Sequence, residues 1–273
     1  MKTVPTLGSK NYNSDKNLLK RKAFATLFKP KIDLTKNIIL SLKLKGKEKV
    51  LDVGCGNGDL LVELKRQYGH KGQLYGLDIA PGILVKAIKT NKENNLDIDF
   101  IVADGRKIPF PRDSFDAIIV KHVLHNVPNY PKIIAECHRV LKPEGKLALA
   151  LTGKETRLVI KKLKAIMAKK LGFNFYPDAE EYVNLENTPK KLTSKLWKDI
   201  KIKHLLSRAT LKNPKPLIDY LDSGRDFWGE VSNQKWNGAL KFCESYLNDT
   251  LRKKGEIKDQ SILGVVTAIK KLL

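Results

Sequence analysis

The stretch KVLDVGCGNGDLL, Lys49 to Leu61, places three glycines at alternate positions directly after a short apolar run. Glycines at such a turn let the backbone approach a ligand where a Cβ atom would clash. The spacing is G-x-G-x-G, whereas the usual dinucleotide fingerprint is G-x-G-x-x-G, and the G-K-[ST] of a Walker loop does not occur in it. Asp52 and Asp59 flank the glycines with negative charge. Such charge would repel a pyrophosphate and favours a ligand with a positively charged end.

Further short apolar runs follow, separated by longer stretches with helical spacing. The pattern predicts strands at 49–54, 73–78, 98–104, 115–122 and 146–152, with helices at 58–69, 81–94 and 130–141. Near-continuous apolar strands that alternate with helices indicate a parallel sheet with right-handed crossovers. Two later strands, at 200–207 and 261–270, bring the total to seven. We therefore predict an α/β fold: a Rossmann-like seven-stranded sheet with helices on both faces, an N-terminal helical cap and a C-terminal helical lid.

The predicted elements divide the chain into three parts. These are an N-terminal helical cap at 1–45, a ligand-binding core at 46–153, and lid helices with the last two strands at 154–273. The cap has an apolar helix face from Leu18 to Phe28, which ends at Pro30, and a second helix at 35–44. The C-terminal part is predicted to contain a basic amphipathic helix at 154–171 and a helical region at 214–252.

Acidic residues end the predicted strands that follow the glycine turn. The second strand ends at Asp78, which suits the two ribose hydroxyls of an adenosine-containing ligand. The third ends in Ala103-Asp104-Gly105, where Asp104 could accept a hydrogen bond from an adenine amino group. Ligands of such sheets bind at the carboxyl ends of the strands, so these residues point to one crevice. S-adenosylmethionine, which has a cationic end and no phosphate, fits this set better than a nicotinamide dinucleotide.

Four successive segments resemble the motifs of class I S-adenosylmethionine-dependent methyltransferases, in the right order and spacing. The segments are VLDVGCGNGDLL, YGLDIAPGILVKA, VADGRKIPFPRDSFDAIIVKHVLHNV and ECHRVLKPEGKLAL, within about residues 48–152. They look most like the ubiquinone/menaquinone-methyltransferase-like group. The resemblance implies an enzyme that moves a methyl group from S-adenosyl-L-methionine to an acceptor and releases S-adenosyl-L-homocysteine.

The resemblance also implies which residues bind the cofactor. They are Asp52, Gly54, Cys55 and Gly56 at its methionine end, Asp78 at the ribose, Ile79 on the adenine face, Ala103, Asp104 and Gly105 at the adenine edge, and Lys121 and His122 beside the methyl group.

Looser similarities outside the core resemble one branch of bacterial small-molecule methyltransferases. They are the pattern NL…R…F from Asn17 to Phe24, LEN at 185–187, PL…DY at 216–220, and Gly264 before the last strand. Relatives of this general kind include the plantazolicin methyltransferase, which alkylates the N-terminal amine of a peptide antibiotic. The resemblance implies a small-molecule or peptide (natural-product) acceptor with a reactive nitrogen or oxygen.

His122 and His125 are the candidate catalytic residues. Methyl transfer is an in-line displacement, so the nucleophile must lie about 3–3.5 Å from the methyl carbon. A base is needed only when the acceptor does not release its own proton, and histidine, which titrates near neutrality, suits that role. Alternatively, His125 only caps and packs. No metal site is expected, because the two histidines have no third ligand nearby in the sequence.

Contacts to the acceptor should come from the cap and the lid rather than from the sheet. The candidates are aromatic and charged residues of these parts: Tyr12, Arg21, Phe24, Phe28, Tyr182, Glu186, Asp222 and Arg225. An aromatic pocket with Glu186 or Asp222 would suit a cationic or amine acceptor. For any single member of the set, packing in a helical core is the alternative.

The net charge of +23 makes RNA a second candidate substrate. Lysine supplies 43 of the 52 basic residues and is spread along the chain, whereas nucleic-acid sites also use arginine and aromatic stacking. Nucleic acid is therefore possible but not favoured, and a non-catalytic cofactor-binding protein is the third alternative. Without a signal peptide, an apolar span or paired cysteines, the chain is expected to be cytoplasmic. The sequence leaves the oligomeric state open.

Overall fold

The computed structural model describes residues 15–173 and 183–272, and the chain forms two compact units. Within the described residues, the first, here called the sheet unit, consists of 33–154, 183–204 and 263–272. The second, the helical unit, consists of 15–32, 155–173 and 205–262. The three-part division at residues 45 and 153 stays a prediction.

The described residues contain eight α-helices and seven strands. The helices are α1 (Asp15–Ala25), α2 (Leu34–Leu42), α3 (Asp59–Arg66), α4 (Pro81–Glu93), α5 (Pro131–Val140), α6 (Leu158–Leu171), α7 (Lys215–Asp222) and α8 (Asn233–Lys254). The strands are β1 (Val50–Val53), β2 (Leu74–Asp78), β3 (Ile98–Val102), β4 (Phe115–Lys121), β5 (Leu141–Thr152), β6 (Trp197–Leu211) and β7 (Ile257–Lys270). None of the described helices is long and apolar enough to cross a membrane.

The strands form one mixed sheet in the order β3-β2-β1-β4-β5-β7-β6. β1 pairs in parallel with β2 and β4, β2 with β3, and β4 with β5, whereas β7 runs antiparallel to β5. The strand order switches direction between β1 and β4, and ligands of such sheets bind at the carboxyl ends of the strands at this point. The predicted Rossmann-like seven-stranded α/β fold is confirmed.

The central strands are buried, which explains their almost continuous apolar sequences. All four residues of β1 are buried, and β4 buries Ala117 through Val120 without interruption. Strands of this kind must be covered on both faces, as in parallel sheets. Asp52, in the middle of β1, is the exception to the apolar pattern, and its burial therefore needs a reason.

The helical unit has a hydrophobic core of its own, built by α1, α6, α7 and α8. Trp236 of α8 is fully buried there, and α6 contributes Ile160, Leu163 and Met167. The opposite side of α6 carries exposed lysines such as Lys169. The basic helix is therefore an apolar stripe that packs inward beneath a solvated lysine face.

Two parts of the C-terminal region differ from the prediction. The helical region predicted at 214–252 is split into α7 and α8. Gly229, between them, has φ 69° and ψ −155°, a conformation open essentially to glycine alone. The strand predicted at 200–207 runs from Trp197 to Leu211. β6 ends the strand order, and edge strands tolerate charged residues, so the apolar run understates its length.

Candidate functional site at the carboxyl ends of the parallel strands

The glycine loop follows the carboxyl end of β1. Gly54 has φ 73°, and a Cβ atom there would stand 2.2 Å from Cγ2 of Val123, so only glycine fits. The N–H groups of Gly54 and Cys55 both donate to the Leu77 carbonyl of β2, at 2.6 and 3.0 Å. These contacts hold the loop beside the carboxyl end of β2.

Asp78, the last residue of β2, is half-buried and held by backbone donors. Its Oδ2 accepts a hydrogen bond from the Gly56 N–H at 2.9 Å, and its Oδ1 accepts one from the Ala80 N–H at 3.0 Å. A carboxylate oxygen can accept a second donor. Asp78 is therefore oriented to accept hydrogen bonds from two further hydroxyls, such as those of a ribose.

Two exposed apolar side chains flank Asp78. Ile79 follows it and is 64% exposed, while Val102 is its register partner on β3 and is 56% exposed. Large apolar side chains left open beside a polar anchor suit the flat face of an aromatic base. Ile79 is predicted from the sequence and Val102 is not, although its place at the end of the neighbouring strand could have indicated it.

Asp52 lies in a fully buried strand. It is 2% exposed, and its Oδ1 accepts no hydrogen bond from the residues that the structure describes. Burial raises the pKa of Asp52 to about 7, although the Lys121 ammonium group opposes this rise, and the Asp78 carboxylate adds to it. A buried oxygen of this kind requires a donor or a cation. A ligand with an ammonium or sulfonium group would supply it, so the site fits such a ligand.

Lys121, the last residue of β4, is fixed by α2. Its Nζ donates to Oγ1 of Thr35 at 3.0 Å, and Thr35 is buried in the first turn of α2. The ammonium group therefore has a defined position, from which it opposes the rise in the pKa of Asp52 that burial causes. Thr35 is absent from the predicted site because nothing in the sequence relates α2 to the end of β4.

Asp104, after β3, is already paired within the chain. Arg106 Nε donates to both of its carboxylate oxygens, at 3.1 and 3.0 Å, and Arg106 Nη2 donates to Oδ2 at 2.7 Å. These hydrogen bonds lower the pKa of Asp104. An adenine amino group that donates to Asp104 would therefore have to share the Asp104 carboxylate with Arg106. The motif alone does not predict this role of Arg106.

The backbone on either side of Asp104 is closely packed. The Ala103 N–H donates to the Asp78 carbonyl at 3.0 Å. A Cβ atom on Gly105 would lie 2.8 Å from Cγ1 of Val53. The structure thus brings the ends of β1, β2 and β3 together, and the binding roles of these residues stay predictions.

His122 and His125 follow β4 directly. His122 has φ 56°, in the left-handed region that costs such a residue about 1–2 kcal/mol, and its N–H donates to the Ala150 carbonyl at 3.3 Å. The two imidazole rings lie 6.3 Å apart between centroids. Val123, between them, packs on Gly54, so the histidines adjoin the glycine loop. In the described part of the chain, no group of three His, Cys, Asp or Glu side chains could hold a metal ion.

Five of the predicted acceptor residues lie in the helical unit: Arg21, Phe24, Phe28, Asp222 and Arg225. Phe24 and Phe28 are buried in its hydrophobic core. Asp222 accepts hydrogen bonds from Lys20 Nζ at 2.6 Å and from Trp236 Nε1 at 2.9 Å. Its carboxylate therefore joins α7 to α1 and α8.

The two arginines of this set bind within the helical unit as well. Arg21 donates to the Ser223 hydroxyl from Nε at 3.2 Å and to the Ser223 carbonyl from Nη2 at 2.7 Å. Arg225 Nη2 donates to the Val231 carbonyl at 3.0 Å and to Oδ1 of Asn233 at 2.6 Å. Both side chains thus bind neighbouring segments of the fold.

The remaining three predicted acceptor residues lie elsewhere. Glu186 belongs to the sheet unit, where its Oε2 accepts a hydrogen bond from the Lys154 N–H at 3.0 Å. Tyr12 and Tyr182 lie outside the described residues. All eight acceptor assignments stay predictions.

Two comparisons concern sequence relatives. The family model described as "Methyltransferase domain" matches residues 51–149. A demethylmenaquinone methyltransferase of Lactobacillus johnsonii is 33% identical over 187 residues, which are 65% of this chain and 73% of that protein.

Solved structures with the same fold include two methyltransferases. A putative methyltransferase of Bacillus halodurans has a TM-score of 0.60 at 19% identity, over 88% of this chain and 99% of that one. A phosphoethanolamine N-methyltransferase of Haemonchus contortus, solved with phosphomonomethylethanolamine and S-adenosylhomocysteine, has a TM-score of 0.55 at 18% identity, over 88% of this chain and 53% of that one. At these identities the likeness concerns the fold.

Proposed function

The chain belongs to the class I S-adenosylmethionine-dependent methyltransferases, and on this basis we propose that it methylates a small organic molecule. It is an enzyme, and its cofactor is S-adenosyl-L-methionine. The sequence similarity to a demethylmenaquinone methyltransferase spans 187 residues and so extends beyond the matched domain at 51–149, which supports a small-molecule acceptor.

The structural observation that supports methyl transfer with proton removal is the placement of His122. It stands directly after β4 with a left-handed backbone, next to the loop whose Gly54 packs on Val123. Backbone strain in a residue with a functional side chain is concentrated at binding and catalytic sites. A histidine at this point can take a proton from an acceptor near neutral pH.

We assign the cofactor to the crevice formed by β1, β2 and β3. Asp52 would face its ammonium and sulfonium groups, because the buried Oδ1 of Asp52 has no donor among the described residues. Asp78 would accept the ribose hydroxyls, and Ile79 and Val102 would pack on the adenine. The fixed Lys121 ammonium group would keep Asp52 partly ionised at neutral pH.

The protein's part in the reaction is positioning and proton removal. S-adenosylmethionine supplies a methyl group that its sulfonium already activates. The chain must hold the acceptor atom in line with the carbon–sulfur bond, at about 3–3.5 Å from the carbon. The proton of the acceptor passes to His122 or His125.

A transfer assay with methyl-labelled cofactor tests the acceptor class. Purified protein would be incubated with an extract of the source cells, and the products separated into small molecules, polypeptides and RNA. We expect label in the small-molecule fraction. Label in polypeptide would shift the proposal to a peptide acceptor. Label in RNA, with activity that falls steeply with salt, would replace it by an RNA methyltransferase.

A matched pair of histidine variants tests the role of His122. His122→Asn suits the left-handed backbone, because asparagine tolerates that region, but it removes the base. We expect the rate at saturating S-adenosylmethionine to fall about 100-fold. His204→Ala, at an exposed position of β6, is the control and should leave the rate unchanged. An unchanged rate in His122→Asn would mean that His125 is the base or that the reaction needs no base.

A further inference from the structure

Lys121 and Asp52 lie on the same face of the sheet, although they belong to different strands. Asp52 of β1 is the register partner of Ile119 of β4, and Lys121 follows Ile119 by two residues. Because side chains alternate between the two faces along a strand, Ile119, Lys121 and Asp52 share one face. The cation that opposes the rise in the pKa of the buried Asp52 therefore comes from the end of the neighbouring strand.

A second carboxylate competes for the same ammonium group. Glu63 of α3 is half-buried, and burial raises its pKa, while Lys121 opposes that rise. A lysine ammonium group sits on a flexible stem and can turn toward either acid. Its hydrogen bond goes instead to the Thr35 hydroxyl, at 3.0 Å from Nζ to Oγ1. A neutral group thus fixes the cation between two carboxylates.

The helix that carries Thr35 is fixed at both ends. Before its first turn, the side chain of Asp33 accepts a hydrogen bond from the Lys36 N–H at 2.9 Å and so caps α2. At its last residue, Lys146 of β5 donates to the Leu42 carbonyl at 2.8 Å. Thr35 itself is buried. Its hydroxyl therefore has a defined position relative to the ends of the strands.

We propose that Thr35 is a positioning residue of the cofactor site, whose hydroxyl holds the Lys121 ammonium group toward Asp52 rather than Glu63. All four residues belong to the sheet unit. The inference rests on the proposed function, in which Asp52 faces the cationic end of the cofactor.

Loss of the Thr35 hydroxyl has a consequence that depends on pH. Once released, the ammonium group can move toward Glu63, and the buried Asp52 then keeps its proton to a higher pH. A protonated Asp52 attracts a cationic ligand less, so the cofactor binds more weakly where Asp52 titrates. At a pH where Asp52 is ionised in either case, the hydroxyl no longer matters.

Other ionisable groups also face Asp52. The Asp78 carboxylate of β2 raises the pKa of Asp52. Burial and the two aspartates raise the pKa of the Cys55 thiol, which therefore stays protonated. Two further acids, Asp33 and Asp59, act on Glu63 and add to the rise in its pKa. These groups are the same in the wild type and in a Thr35 variant, so their comparison isolates the ammonium group.

Three variants test the role of Thr35. Thr35→Val replaces the hydroxyl by a methyl group, Thr35→Ser keeps the hydroxyl, and Thr90→Val, in the last turn of α4, is the matched control. By isothermal titration calorimetry, we expect Thr35→Val to bind S-adenosylmethionine about 3-fold more weakly than the wild type at pH 6 and equally well at pH 8.5. Thr35→Ser and Thr90→Val should match the wild type at both pH values.

A purely structural role of Thr35 would weaken binding equally at both pH values. That result, a loss shared by Thr35→Ser, or no loss in Thr35→Val would overturn the inference. Should Thr35→Val not fold, Lys121→Met decides, because it removes the ammonium group that Thr35 holds. It should lose at least as much affinity at pH 6 and none at pH 8.5, and an unchanged affinity at pH 6 would overturn the inference.

A measurement without ligand separates this inference from the assignment of Asp52 to the cofactor. If Asp52→Asn binds the cofactor with the pH profile of the wild type, that assignment fails. Carbon-13 NMR of the Asp52 carboxyl group, in the ligand-free protein, then decides the position of Lys121. We expect a higher titration midpoint in Thr35→Val than in the wild type and Thr35→Ser. Equal midpoints would overturn the positioning role as well. A failure to label any small molecule concerns only the acceptor and leaves both measurements valid.

Discussion

Aspartates of both units are candidate ligand-binding residues by sequence, but the structure shows that their carboxylates bind different partners. Asp78 is held by two backbone N–H groups and can accept two more donors, and the buried Oδ1 of Asp52 accepts none from the described residues. Asp222 of the helical unit instead binds Lys20 and Trp236. Asp52 and Asp78, which a motif predicts, therefore keep oxygens available for a ligand, whereas Asp222, chosen for its residue type, holds three helices of the fold together.

Asp78→Ala should give the largest effect. Two charge-assisted hydrogen bonds to the ribose would be lost, each worth about 1.5–3 kcal/mol, so we expect S-adenosylmethionine to bind at least about 100-fold more weakly by isothermal titration calorimetry. Asp99→Ala removes an exposed aspartate of β3 and should bind the cofactor normally. Equal affinity of the two variants would mean that the ribose assignment is wrong.

In the candidate site, the positions that follow a strand end could be located from the sequence, since the motif spacing places them at one edge of a parallel sheet, and their binding roles stay predictions. Asp78, Ile79 and Gly105 are such positions. Thr35 and Arg106 could not be predicted, because the contact of α2 with Lys121 and the fold of the turn after β3 are tertiary facts. The same holds for the fold: the buried strands are evident from apolar runs, but the two ends of β6, where charged residues such as Lys198 and Arg208 interrupt the apolar pattern, are not.

The pH dependence of cofactor binding should sharpen the assignment of Asp52. Burial raises its pKa to about 7, and a cationic ligand favours the ionised form. Affinity for S-adenosylmethionine should therefore fall about 10-fold between pH 8 and pH 6, and this component should vanish in Asp52→Asn. The ligand's own ammonium group titrates equally with both proteins, so their difference isolates Asp52. Parallel pH profiles would contradict the proposed contact.

The raised pKa of Asp52 has the opposite pH dependence for the stability of the fold without ligand, which falls as the pH rises. A carboxyl pKa that is higher in the folded than in the unfolded state means that the folded state binds the proton more tightly. The contribution of Asp52 to stability should therefore decrease as the pH rises from about 4 to about 7 and stay constant above. Urea unfolding of the wild type and Asp52→Asn at several pH values would measure it.

Asp222→Asn should affect stability rather than cofactor binding. Burial alone would raise the pKa of Asp222, but the hydrogen bonds from Lys20 and Trp236 outweigh it and lower the pKa. Stability from this group is therefore present above the unfolded pKa of about 4 and lost as the pH falls through the lower folded value. We expect the free energy of unfolding of the variant, measured in urea at pH 7, to be about 1 kcal/mol lower than that of the wild type. This difference should disappear at acidic pH.

Asp219→Asn is the control for Asp222, because its pairing with Lys215 is an exposed contact within one helix and should be worth less than about 0.5 kcal/mol. If Asp222→Asn keeps normal stability but loses methyl transfer, Asp222 does not have the purely structural role that distinguishes it from Asp52 and Asp78. That result would instead support the acceptor role predicted for Asp222 from the sequence.

Arg106→Ala should give the smallest effect and tests the one strand-end acid that is already paired. The Asp104–Arg106 pair is more than a third exposed on both sides, so it contributes little to stability. Removing Arg106 frees the Asp104 carboxylate for the adenine amino group but also releases its orientation, and these two effects oppose each other. We expect S-adenosylhomocysteine affinity to change less than about 3-fold in Arg106→Ala and to fall about 10-fold in Asp104→Ala.

The inosine analogue of S-adenosylhomocysteine, which lacks the amino group, separates the two residues further. If Asp104 accepts from adenine, wild type and Arg106→Ala should both prefer the adenosine ligand, and Asp104→Ala should not. A large loss of affinity for both ligands in Arg106→Ala would mean that the guanidinium group itself contacts the base. Asp104 would then act as the residue that positions Arg106, and an acid at a strand end would serve the site without touching the ligand.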